Sequence, residues 1–135
     1  EPASFINLDL ELLAEAPLDL LVRQFEELLI LFHDKTENGY HLVIEPVING
    51  SLSRDIQACT EHFLAIIRSL PQELRSAWDT CSSRVFDYGF EGGLEQPPLR
   101  VTLHAASLST IAEACIDIQI TIYPFREVSN DVDSA

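Results

Sequence analysis

Apolar and polar residues alternate from Phe5 to Leu13, with Ile6, Leu8, Leu10 and Leu12 set against Asn7, Asp9 and Glu11. Period two with one polar side predicts a half-buried strand. Pro17 then suits the first position of a helix. Leu18, Leu21, Val22, Phe25, Leu28 and Leu29 follow at helical spacing, so a helix is expected over residues 17–28. Ile30-Leu31-Phe32-His33 opens a second strand, and Thr36-Glu37-Asn38-Gly39-Tyr40 reads as a hairpin turn with Gly39 able to take positive φ. Two registers compete there. A three-residue loop ending in Gly39 pairs Thr36 with Tyr40, Asp34 with Leu42 and Phe32 with Ile44, and gathers Ile30, Phe32, Tyr40, Leu42 and Ile44 on one apolar face. A two-residue Asn-Gly turn brings His33 and Lys35 onto that face instead. Burial favours the three-residue loop.

Asn49-Gly50-Ser51 reads as a loop, and Ser53 is placed to cap a helix whose stripe is Ile56, Cys59, Phe63, Ile66, Ile67 and Leu70. Pro71 restarts the chain before a shorter stripe of Leu74, Ala77, Trp78 and Cys81. Arg84 to Phe90 alternates as a strand, with Phe86, Tyr88 and Phe90 on one side and Val85, Asp87 and Gly89 on the other. Gly92-Gly93 and Pro97-Pro98 bracket a loop. Leu99 to Leu103 suits a short edge strand, and Ser107 a cap for a last helix carrying Leu108, Ile111, Ala112 and Cys115. Ile116 to Tyr123 is the clearest strand: four isoleucines point one way, and Asp117, Gln119, Thr121 and Tyr123 the other.

Residues 126–135 hold few apolar side chains and are expected to form a mobile acidic tail, leaving residues 1–125 as a single domain. The element order predicts an α+β fold. It resembles a ferredoxin-like βαββαβ-type core with helices on one face of a largely antiparallel sheet, plus a C-terminal helix and strand. Strands with one apolar and one polar side leave the second sheet face uncovered. That face is expected to carry Asp9, Glu11, Glu45, Asp87, Asp117, Gln119, Thr121 and Tyr123, with His33 and His41 from the hairpin.

Composition sharpens this picture through charge. The 135 residues include 22 acids and 8 Lys+Arg, a net charge of −14, while the apolar share of 47% is ordinary for a folded domain. Such a field repels nucleic-acid phosphates and anionic membranes and attracts basic proteins. Lys35 is the single lysine, so a polybasic nucleic-acid or lipid patch has no material. Acidity that serves solubility alone remains an alternative. The longest apolar run, Leu28–Phe32, is too short to span a bilayer, and no secretory leader is read. Cys59, Cys81 and Cys115 are odd in number, scattered, and set on apolar helix faces, which fits a reducing, cytoplasmic setting.

Catalytic and metal chemistry find little support. His33, His41 and Glu45 lack the converging spacing of a metal site, and no H-E-x-x-H, G-x-S-x-G or S-x-x-K occurs. Cys59 and His62 are three apart, but Cys59 lies on an apolar stripe rather than in the electropositive setting a nucleophile needs. Gly89-Phe90-Glu91-Gly92-Gly93 lacks a phosphate loop's glycine spacing, and Trp78 reads as core. Neither enzyme activity nor a cofactor is expected.

Ser76-Ala77-Trp78-Asp79 leading into Ser83–Gly89, together with Leu108–Ala112 and Asp117–Tyr123, resembles small, mostly uncharacterised bacterial acidic α+β proteins over about the C-terminal half. Some similar proteins are immunity proteins of polymorphic or contact-dependent toxin systems. The resemblance implies an inhibitor that occludes a basic toxin domain, such as a nuclease, and it carries no catalytic residues. The acids of the uncovered face supply the expected partner-binding residues: Asp9, Glu11, Glu45, Asp87, Glu91 and Asp117, with Tyr123 as an aromatic anchor. Two alternatives stay open: a small-molecule-binding or enzymatic domain, and a homodimeric scaffold joined through edge strands. Sequence leaves monomer and homodimer undistinguished.

Overall fold

A computed structural model describes residues 2–47, 54–94 and 97–125. The Asn49–Ser51 loop, the Ser53 cap and the 126–135 tail lie outside the described residues. The elements run β1 (Ser4–Ala14), α1 (Asp19–Gln24), β2 (Leu29–Thr36), β3 (Gly39–Glu45), α2 (Ile56–Arg68), α3 (Gln72–Asp79), β4 (Ser83–Glu91), α4 (Ala105–Glu113) and β5 (Asp117–Tyr123). The fold is α+β, with one five-stranded sheet in the order β2-β3-β1-β4-β5. β1 is antiparallel to β3 and β4, β2 to β3, while β5 lies parallel to β4. The sheet is therefore mixed. It differs from the four-stranded antiparallel sheet of a ferredoxin-like core by the parallel strand at its edge.

β1 sits at the centre because both its neighbours need its apolar side. Leu8, Leu10 and Leu12 are fully buried and stand opposite Tyr88, Phe86, Ile44 and Leu42. The register shifts between Phe5 and Asn7, and this irregularity returns Phe5 to the covered side, edge-on to Phe90 at 5.5 Å between ring centroids. Leu21 and Phe25 near α1, Phe63 and Ile67 from α2, Trp78 from α3 and Ile111 from α4 complete one core on this side of the sheet. Inside it the hydroxyls of Thr60 and Tyr88 share a 2.7 Å hydrogen bond, and burial pushes the Tyr88 phenol up to about 12. Asp55 caps α2 by accepting from the amides of Gln57 and Ala58 at 2.9 and 3.0 Å.

The turn into β5 is tied to α3 through two side chains. Arg84 donates to the carbonyls of Trp78, Cys81 and Cys115, each at 2.9 Å, which satisfies acceptors left open at the end of α3. The Trp78 indole N–H donates to the Ala114 carbonyl at 3.2 Å. Cys115, between them, adopts φ 57°.

Several expectations change. The hairpin pairs Thr36 with Gly39, Lys35 with Tyr40 and His33 with Leu42, so its loop is Glu37-Asn38 and not three residues. The Thr36 hydroxyl donates to the Gly39 carbonyl at 3.1 Å and accepts from the Asn38 amide at 3.2 Å, while Gly39 takes φ 124°. A side chain at Gly39 would also meet the Ala14 carbonyl at 2.6 Å. His33 and Lys35 consequently move to the helix side, and Phe32 moves to the open side. An irregularity between Ile30 and Phe32 then restores Ile30 opposite Ile44. The α1 helix is shorter than expected and ends at Gln24. Leu99–Leu103 forms no strand. His104, not Ser107, occupies the cap position of α4, and Ser107 is buried inside the helix, accepting from Gln57 at 2.7 Å. Cys115 is exposed in the turn, whereas Cys59 and Cys81 are buried.

Candidate functional site

The sheet register decides what the uncovered face presents. One residue beyond the Leu10–Ile44 pair, β3 brings Glu45 alongside Asp9, and β4 places Asp87 directly opposite Asp9 on the other flank. Three carboxylates from β3, β1 and β4 thus share one row, which continues to Gln119 on β5. The next row runs Phe32, Val43, Glu11, Val85 and Asp117. Glu91 stands between Ser4 and Tyr123 at the far end, and Asp34 faces His41 near the hairpin.

The seven sequence-predicted residues therefore share this face, with different access. Asp117 and Tyr123 are exposed, Asp9, Glu11, Asp87 and Glu91 are half-buried, and Glu45 is only 7% exposed, so it acts through its charge more than by contact. His41 joins them, its Nε2 lying 3.7 Å from a Glu11 carboxylate oxygen. His33 does not: it lies 3.9 Å from Asp19 on the helix side. The two basic residues within strands, Lys35 and Arg84, both belong to the helix side, where Lys35 lies over the Tyr40 ring. Among the described residues no lysine or arginine stands on the open face. Below the acid row, Glu11, His41, Val85, Gln119 and Thr36 border a shallow hollow of about 220 Å³.

Local contacts fix the carboxyls. Thr121 donates to Asp87 at 2.7 Å, and the Asn7 side-chain amide donates to Asp9 at 3.2 Å. Asn7 fits because Gly89 lies opposite it; a Cβ there would come within 2.5 Å of the Asn7 amide oxygen. Burial, then the charges of Glu45, Asp87 and Glu11, push the Asp9 carboxyl up to about 7. Asp9 consequently exchanges a proton near neutrality. No family model matches the chain, and neither a curated protein nor a solved structure matches it. The site must be read from its chemistry. Among the described residues no group of three or more His, Cys, Asp or Glu is arranged to hold a metal ion, and no helix is long and apolar enough to cross a membrane.

The raised Asp9 value makes stability depend on pH. Above the ordinary value of 3.8 the unfolded chain releases this proton, whereas the folded chain keeps it until about 7. Stability therefore falls as pH rises through that interval and levels off above it. The interval is worth about 4 kcal/mol, which screening at a half-buried carboxyl reduces to on the order of 1–2 kcal/mol. Asp9→Asn should leave stability near pH 4 unchanged and raise it by that amount at pH 8. Urea unfolding at both values checks it, and an unchanged pH slope would refute the assignment.

Sequence reasoning missed the Glu45–Asp9–Asp87 row, since it depends on strand order. It also set Phe32 on the covered side, whereas Phe32 lies beside Val43 in the row of Glu11 and Asp117. Alternation along β1 and β4 indicated which residues share a face, but only the order β3-β1-β4 makes them neighbours.

Proposed function

We propose that the chain is an immunity-type inhibitor, a cytoplasmic and non-enzymatic bacterial protein that binds a basic toxin domain and neutralises it by one-to-one occlusion. The observation that carries this reading is the segregation of charge. Asp9, Glu11, Asp34, Glu45, Asp87, Glu91 and Asp117 share a face on which no lysine or arginine stands among the described residues. Like charges in adjacent strand positions destabilise a sheet, and burial, reinforced by the charges of the row, makes Asp9 hold a proton near pH 7. A docked lysine or arginine relieves that repulsion, displaces the proton and gains charge-assisted hydrogen bonds. A nuclease fits best as partner, because its groove must be basic to hold phosphates and a row of carboxylates substitutes for them. Phe32, Val43 and Tyr123 give the face apolar contact area beside its charges. The order β2-β3-β1-β4 supports a ferredoxin-like core, to which α4 and β5 add an edge.

The test is capture from the host's lysate at low and high salt, followed by calorimetric titration of the purified captured protein and assay of its activity. A basic protein bound one-to-one, inhibited on binding and released at high salt is the expected result. A salt-insensitive complex, or binding without inhibition, would overturn the reading.

A further inference from the structure

The two edges of the sheet are built differently. β2 carries an irregularity at Leu31 and consecutive Asp34 and Lys35, features that discourage pairing with another strand. β5 carries none: DIQITIY contains no proline, no lysine and no register shift, and its one charge, Asp117, stands at its first residue. The Tyr123 carbonyl accepts from the Gly92 amide on the β4 side. Backbone groups alternate along a parallel pair, so Asp117, Gln119, Thr121 and Tyr123 turn theirs toward β4, and Ile118, Ile120 and Ile122 turn theirs outward. The side chains of the same three isoleucines are 44%, 64% and 67% exposed on the helix side. They border two open hollows of about 240 and 330 Å³ with Val101 and Leu99. Among the described residues, this most regular strand thus leaves its backbone edge and its apolar side uncovered together.

We infer that a second copy of this chain pairs with β5, antiparallel and centred on Ile120. The edge is complementary to itself in three respects. Centring on Ile120 sets outward-facing residues opposite one another, Ile120 against Ile120 and Ile118 against Ile122, and forms about six inter-chain hydrogen bonds. The isoleucine side chains of both copies then meet on the helix side, where the strip is uncharged. On the open side Gln119 meets Thr121 and Asp117 meets Tyr123, so the two Asp117 carboxylates stay about 20 Å apart, beyond a Debye length. A basic partner is drawn to the acid rows, whereas this strip offers it no charge. A twofold axis normal to the sheet keeps both open faces on one side, giving a continuous sheet with a doubled acidic surface. This assignment does not depend on the basic-partner reading, and salt separates them: screening weakens binding at the acid face but strengthens association of two chains of charge −14.

Sedimentation velocity of the 135-residue chain from about 1 to 200 µM tests it. The mass should move from one chain to two with concentration, and the dimer should be favoured as salt rises. Ile120→Lys, at a position already facing solvent, and Ile120→Pro, which removes an outward amide, should each give a monomer throughout with unchanged far-UV circular dichroism. Leu20→Lys on α1 should leave the dimer intact. Amide exchange at Ile118, Ile120 and Ile122 should slow with concentration. A monomer at every concentration, or a dimer that survives Ile120→Lys, would overturn the inference. Protection of these amides only after a basic protein is added would also overturn it, in favour of a partner strand.

Discussion

Trp78→Ala should cost about 3–5 kcal/mol of folding stability, the largest loss expected from any single truncation in this chain. The indole is 1% exposed and its N–H donates to the Ala114 carbonyl across the junction of α3 with the turn into β5. Truncation removes a large buried volume and leaves a carbonyl unpaired, and the two penalties have the same sign. A domain of this size has on the order of 5–15 kcal/mol to lose, so the variant approaches unfolding at ambient temperature. Trp78→Phe keeps most of the volume and loses only the hydrogen bond, so it should cost about 1–2 kcal/mol. Urea titrations must be followed by far-UV circular dichroism, because Trp78 is the single tryptophan. A loss below about 1.5 kcal/mol for the alanine variant would mean that α3 packs independently of that turn.

The same junction shows what the sequence made legible. Trp78 falls on a stripe with Leu74 and Ala77, which is enough to read it as core. Its hydrogen bond to Ala114 joins residues far apart in sequence, and no local pattern announces it. β1, β4 and β5 were legible because period two imposes a face on each residue. The hairpin was not. Phe32 and His33 compete for one face of an edge strand that is largely exposed in either register, so burial chose weakly and the Thr36 hydroxyl contacts at Gly39 decided.

β5 marks a second limit. Alternation correctly placed Ile118, Ile120 and Ile122 on one side, yet periodicity reports only which residues share a side, never whether anything covers it. The acidic face was legible for the same reason that its central row was not. Asp9, Asp87 and Asp117 each occupy the polar side of a strand, which local pattern reveals. That Asp9 lies between Glu45 and Asp87, whose charges add to burial in holding its proton to about 7, follows from a strand order that joins β1 to β3 and β4.

Reversing Glu11 and Asp87 together to lysine should weaken binding of the basic partner at least 100-fold, about 3 kcal/mol. The two acids lie on neighbouring central strands in adjacent rows, so both opposed positions of a docked basic surface meet repulsion in place of attraction. Reversing Glu26 and Glu27, exposed residues beyond α1, changes net charge equally and should cost only a few-fold through the long-range field. The difference between the pairs isolates the face from the overall charge. Equal losses would reduce the effect to steering by net charge, and no loss from either would remove the open face from recognition. Proton release supplies an independent readout. Because the partner must displace the proton that Asp9 carries near pH 7, affinity should rise between pH 6 and 8 in the native chain and lose that rise in Asp9→Asn. A pH response identical in both would place the partner's cations elsewhere than the Glu45–Asp9–Asp87 row.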